Sequence, residues 1–252
     1  MVDKDFEDLF EVEQHMWWFQ GMKSITGVLM RPVWESLAAP VVLDAGCGTG
    51  DMIQWLSMKS PDVTGLDISQ TALDFCRRRG IENLVLGSAS ELPFDEGSFD
   101  VVTSFDVLVQ LPGLSDVERA MNEMNRVLKP GGWAFVRTAA YSWMRSAHDV
   151  SLNSQHRFTR KGLSGLAIAA GFQIRYAGYA NAFLLPVAML HRLALQPFGV
   201  THRGSDVKPL PASLAWLNRP FRALLEWEGA CMGKGFSFPF GLSVVMLLRK
   251  PF

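Results

Sequence analysis

Asp44 and the three glycines that follow it at every second position, Gly46, Gly48 and Gly50, have the types and spacing of a ligand site. Glycine has no Cβ, so a ligand can press directly on its backbone. The carboxylate ahead of the glycines would repel a pyrophosphate and suits a ligand with a cationic group. The Gly-x-Gly-x-Gly spacing also departs from the Gly-x-Gly-x-x-Gly of dinucleotide binders. Before the acid, Val41-Val42-Leu43 reads as a buried parallel strand, and a helical pattern follows the glycines. Strand, glycine turn and helix put the site at the carboxyl end of a strand.

A second acid, Asp67, closes the short apolar run from Val63 and is followed by Ile68. An acid roughly 20 residues on, at the end of the second strand, accepts hydrogen bonds from a ribose diol. Ser69 reads as the N-cap and Gly80 as the stop of a helix over 70–79. Leu84-Val85-Leu86 reads as a third strand, followed by Gly87-Ser88-Ala89-Ser90-Glu91-Leu92-Pro93-Phe94. A fourth strand ends near Phe105. Ser115 to Glu118 reads as a capping box that opens a helix to Leu128. Lys129-Pro130-Gly131-Gly132 breaks that helix, and Trp133 to Thr138 reads as a fifth strand.

These segments together resemble the class I S-adenosylmethionine-dependent methyltransferases, in the broad type-11 group. The resemblance implies an α/β fold: a Rossmann-like, doubly wound sheet of seven strands, mostly parallel with an antiparallel last strand. It implies S-adenosyl-L-methionine as cofactor, a ligand with an α-ammonium and no phosphate. Asp44, Ala45, Gly46, Gly48 and Gly50 then hold its methionine part, Asp67 and Ile68 its ribose, and Ser88, Ala89 and Ser90 its adenine. Phe105 touches it from the end of the fourth strand. The chain departs from the family pattern twice. Ser88 stands where an aspartate is usual, and a hydroxyl binds an amine more weakly than a carboxylate does. Val109-Gln110 stands where histidines often follow, so catalysis by a histidine there is excluded.

The stretch 14–23 resembles a His-Trp-Trp-Phe-Arg-Gly-Arg-Arg segment of one branch of that group. It keeps Trp17, Trp18, Phe19, Gly21 and Lys23 but has Met16, Gln20 and Met22 at the positions of a histidine and two arginines. Trp18 and Phe19 are expected to form a lid over the acceptor. The alternative is that these rings only bury a helix against the core. Tyr141 and Trp143, after the fifth strand, match the same branch and are expected to bind substrate. His148 is the candidate base and Asp149 its acid partner; the alternative is a loop-bridging histidine. His156, beside Arg157, is the weaker candidate.

The 252 residues suffice for one large domain. Its expected parts are N-terminal lid helices (1–38), a cofactor-binding core (39–180), a helical insertion (181–236) and a final strand (237–252). A net charge of −1 argues against nucleic acid as partner. Cys47, Cys76 and Cys231 are odd in number and lack zinc spacing, so no metal site is expected and the thiols read as reduced, in a cytoplasm. No apolar run approaches the roughly 20 residues of a membrane span, so no stable membrane insertion is expected. The nearest run, Ala182 to Leu190, is broken by Pro186. The expected reaction is methyl transfer to the oxygen or nitrogen of a small, partly apolar acceptor. Two alternatives stand beside it: a catalytically idle protein that binds S-adenosylmethionine, and a nicotinamide-dependent oxidoreductase. An enzyme resting on a lipid surface is a third, with few basic residues to support it. The acceptor and the oligomeric state are left open.

Overall fold

A computed structural model describes residues 3–145, 154–190 and 212–252. Seven strands form one sheet: β1 (Val41–Ala45), β2 (Asp62–Asp67), β3 (Leu84–Leu86), β4 (Phe99–Phe105), β5 (Leu128–Ala139), β6 (Gln173–Ala180) and β7 (Ser243–Arg249). Their order is β3-β2-β1-β4-β5-β7-β6. The pairs from β3 to β5 are parallel, and β7 runs antiparallel between β5 and β6. The chain winds outward from β1 in one direction to β3 and then restarts beside β1 with β4. That reversal opens a crevice at the carboxyl ends of β1 and β4, where open α/β sheets bind ligands.

Side chains alternate across a strand. Val42, Val101, Phe135 and Val245 therefore face one way, and Leu43, Val102, Val136 and Val244 the other. The first face is covered by α2 (Trp17–Ser36), α3 (Asp51–Ser57), α4 (Gln70–Arg78) and α8 (Asn218–Gly233) through Met22, Ile25, Ile53, Leu73 and Leu225. The second is covered by α5 (Leu114–Val127) and α6 (Arg160–Ala169) through Val117, Met121, Met124 and Leu163. Both faces are dry, which is why the strands read as nearly continuous apolar runs. α1 (Asp3–Val12) packs on α4 through Phe6 and Phe75, and the short α7 spans Leu185–Leu190.

α2 and α8 lie close because glycines stand at their contacts. A Cβ on Gly21 would come within 2.4 Å of Leu225 Cδ1, and one on Gly233 within 2.4 Å of Val28 Cγ1. Glu228 of α8 is fully buried and accepts backbone N–H groups from Asn181 and from Ala182, the latter at 2.9 Å. Burial pushes its carboxyl up to about 6, opposed by those backbone bonds. The carboxylate thus pins α8 to the end of β6.

Three boundaries differ from the sequence reading. α4 stops at Arg78, one residue early, with Gly80 in the left-handed region at φ 77°. α5 starts at Leu114, because Gly113 is the cap and donates its N–H to Asp116 Oδ2 at 3.0 Å. The Lys129–Gly132 breaker lies inside β5. The C-terminal residues hold it there, since Gly131 N donates to Lys250 O and Lys250 N to Gly132 O.

Candidate functional site

The glycine loop is shaped by packing at two positions and left open at the third. Gly46 has φ 90°, and a Cβ there would lie 2.2 Å from Val107 Cγ2. Gly50, at φ 88°, caps α3, and a Cβ would crowd Ile81 and Cys76. Gly48, at φ 54°, has nothing within 4 Å of its Cβ position. Its N–H donates to Asp67 Oδ2 at 2.9 Å, and Ser69 N donates to Oδ1 at 2.9 Å. Asp67 therefore joins the loop to the end of β2. Burial raises its carboxyl, while N–H bonds from Ser69, Gly48 and Ile68 oppose the rise. A carboxylate has about four acceptor sites, so both oxygens keep room for a diol. Beside it Ile68 is 75% exposed, an apolar face offered to a ligand. Ser88 Oγ bonds Ser90 Oγ at 2.9 Å and accepts Ser90 N at 3.2 Å. Its hydroxyl shapes a local turn, and Ala89 is buried within it.

Asp44 is fully buried. Thr103 Oγ1 donates to its Oδ1 at 2.8 Å, while Oδ2 has no partner among the described residues. Burial pushes this carboxyl up to about 7; the Thr103 bond and the Arg137 charge pull against it, and Asp67 adds to it. A buried acceptor without a donor costs roughly 1–3 kcal/mol. A cationic donor brought to this loop would remove that cost.

At the next two strand ends the backbone itself is strained. Asp106 and Tyr141 follow β4 and β5 with φ 59° and 58°, values uncommon for residues other than glycine. Asp106 Oδ2 accepts Arg137 Nε at 2.8 Å. The Arg137 guanidinium lies 5.2 Å from the Trp18 ring centre and 5.1 Å from that of Phe105.

A methyltransferase-domain family matches residues 43–136, the stretch that contains both acids and the glycine loop. Over 151 residues the chain is 30% identical to a ubiquinone biosynthesis O-methyltransferase of Bordetella avium, covering 54% of this chain and 61% of that one. Over 132 residues it is 39% identical to a demethylmenaquinone methyltransferase of Staphylococcus aureus, covering 50% of each. The matches therefore span half to three-fifths of these relatives' length. A crystal structure of an S-adenosylmethionine-dependent methyltransferase from Thermotoga maritima, a possible histamine N-methyltransferase, superposes with a TM-score of 0.60. It covers 98% of this chain and 95% of its own at 18% identity, so it shows a shared fold. Residues 43–136 of this chain therefore form a methyltransferase domain of that family.

S-adenosylmethionine is the cofactor of this family, and the residues present fit it. Asp44 has an oxygen free for an ammonium, Asp67 has acceptor capacity for the ribose, and Gly48 leaves space for close approach. The methyltransferase loop is also tied to the N-terminal helices, which the sequence reading did not anticipate. Glu13, just after α1, is buried and accepts from Thr49 Oγ1 and from Arg79 Nη2. Arg79 Nε donates to Thr49 O at 2.8 Å. Lys23 of α2 pairs with Asp51 at the start of α3 at 2.6 Å. Burial, with Asp51 nearby, pushes Glu13 up to about 7 against the Thr49 and Arg79 bonds.

The aromatic residues expected to share a pocket occupy two places. Trp18 packs with the first face of the sheet, meets Phe19 edge-on at 4.9 Å and covers Arg137. Tyr141 packs with the second face and stacks between Trp143 at 5.5 Å and Tyr179 at 5.2 Å. His148 and Asp149 lie outside the described residues. His156 has a buried Nε2 without a partner among them and lines a cavity of about 280 Å³ with Ser142, Arg145 and Phe158. None of the cofactor residues lines that cavity. Arg137 and Asp106 were not singled out from the sequence. The signal was an arginine inside the apolar run Trp133 to Ala140. Among the described residues no helix is long and apolar enough to cross a membrane.

Proposed function

We propose that this methyltransferase moves the methyl group of S-adenosylmethionine to oxygen or nitrogen of a small, partly apolar acceptor. The observation that carries the reading is a pair of acids across one glycine loop: Asp44 with an open buried oxygen and Asp67 with acceptor capacity at the next strand end. Support for a ring-type acceptor comes from two relatives named for ubiquinone and demethylmenaquinone and from the aromatic edge around Trp18 and Phe105. The near-neutral charge supports a small molecule over nucleic acid.

When bound, the cofactor supplies an electrophilic methyl on a positive sulfur; the acceptor–carbon bond forms as the sulfur–carbon bond breaks, leaving a neutral thioether. The chain's part is to hold donor and acceptor in line and to keep water out. Trp18 and Phe19 on one side and Tyr141 and Trp143 on the other are the proposed walls. A hydroxyl acceptor must also lose a proton, and His148, oriented by Asp149, is the proposed base. The test is incubation with methyl-labelled S-adenosylmethionine and a panel of catechols, phenols and amines. The expected result is a labelled product formed in equal amount with S-adenosylhomocysteine. Tight binding of S-adenosylhomocysteine with no turnover across the panel would favour the idle cofactor-binding reading instead.

A further inference from the structure

We propose that Arg137 selects the acceptor by receiving a carboxylate on its open edge. The inference rests on the methyltransferase reading above and adds the acceptor's charge to it. Three observations carry it. Arg137 is a cation in the middle of the sheet, with a side chain only 7% exposed. Its Nε is taken by Asp106, which adopts a left-handed backbone to reach it. Its two terminal nitrogens have no hydrogen bond to a described residue, and they are not among the side-chain atoms sealed without a partner. Among the described residues the guanidinium thus has one edge occupied and the other free. Trp18 and Phe105 pack against it as well, so it is rigidly held. A fork held this way pairs bidentately with a planar carboxylate approaching in its own plane.

Position assigns that carboxylate to the acceptor. Asp67 ends β2, Asp44 lies near the end of β1, Phe105 ends β4, and Arg137 pairs with Phe105 in register on β5. These strands are consecutive neighbours in the sheet. A cofactor with its ribose at Asp67 and its ammonium at Asp44 runs in the direction of β4. Arg137, on the strand beyond, lies past the cofactor's methionine end, where an acceptor must approach.

The test compares 3,4-dihydroxybenzoate with 3,4-dihydroxybenzamide, which has the same ring without the charge. Both are titrated by calorimetry into the full chain saturated with S-adenosylhomocysteine. The carboxylate should bind at least about 10-fold more tightly, the size of one charge-assisted hydrogen bond. Arg137→Gln should abolish the preference while the dissociation constant for S-adenosylhomocysteine stays within about threefold. Equal or undetectable binding of the two probes to the wild type overturns the proposal, as does a preference that survives in Arg137→Gln. A larger loss of S-adenosylhomocysteine binding overturns it too, since Arg137 would then serve the cofactor's own carboxylate. Should Arg137→Gln fail to fold, Arg137→Lys decides: it keeps the charge and loses the fork, and an undiminished preference overturns the idea. A wild-type chain that does not bind S-adenosylhomocysteine at all is a different result and refutes the methyltransferase reading itself.

Discussion

Asp44→Asn should move cofactor affinity and stability of the free protein in opposite directions. Burial holds the Asp44 carboxyl at about 7 instead of 3.8. At ~1.4 kcal/mol per pH unit, that gap disfavours the ionised form by on the order of 4 kcal/mol. The folded value is raised, so the folded protein holds its proton more tightly than the unfolded chain does. This contribution to stability is full below about 3.8 and is lost as pH rises through about 7. Asparagine keeps an oxygen for the Thr103 hydroxyl and never ionises. The ligand-free variant should therefore melt at or above the wild-type temperature at pH 8 and lose that advantage by pH 5. Binding should go the other way. Losing a charge-assisted bond to the ligand ammonium costs about 1.5–3 kcal/mol, or roughly 10- to 150-fold in affinity for S-adenosylhomocysteine. Calorimetry at pH 6.5 in two buffers of different ionisation enthalpy counts the protons. Wild type should release a fraction of a proton on binding, because the ammonium lowers the Asp44 carboxyl, and the variant should release less. The reasoning is refuted if the variant keeps its affinity, if it is destabilised at pH 8, or if the wild type takes up protons.

Two glycine substitutions should part company. Gly46→Ala drives a Cβ to 2.2 Å from Val107 and should cost about 1–3 kcal/mol of stability by overpacking, read from urea midpoints. Gly48→Ala meets no atom within 4 Å, so its stability cost should stay near the ~1–2 kcal/mol of a left-handed alanine, while S-adenosylhomocysteine titration should show at least a tenfold loss; equal behaviour of the two would contradict the open-face assignment. Arg79→Ala strips the bonds to Thr49, Phe10 and Glu13 and should cost about 3–5 kcal/mol, the range for breaking a buried pair. Hydrogen exchange should then rise first in α1; unchanged protection there would mean that α1 docks through Phe6 and Phe10 alone.

The glycine loop and the two strand-end acids were legible because each is a local pattern, whereas the antiparallel last strand was expected only from the family resemblance. A buried strand needs a continuous apolar run, a tight turn beside a ligand needs glycine, and both leave their mark within a few residues. The capping of α5 was misread by two residues for the same local reason: Ser115 is the conventional cap, but Gly113 takes the role through Asp116. The partners of Arg137 and Glu13 were not legible. Nothing near Trp18 in the chain says that it will lie over an arginine of β5, and nothing near Glu13 names Thr49 and Arg79. Trp18 and Tyr141 likewise look equivalent in the chain, yet they pack on opposite faces of the sheet.

The sequence by itself determined that strands would end in acids around a glycine turn, because spacing along the backbone sets which atoms reach a turn. Only the tertiary structure decided which charges are buried, which are paired and which side of the sheet each ring covers. Those depend on desolvation and on contacts between residues far apart in the chain, and both exist only once the helices have closed on the sheet.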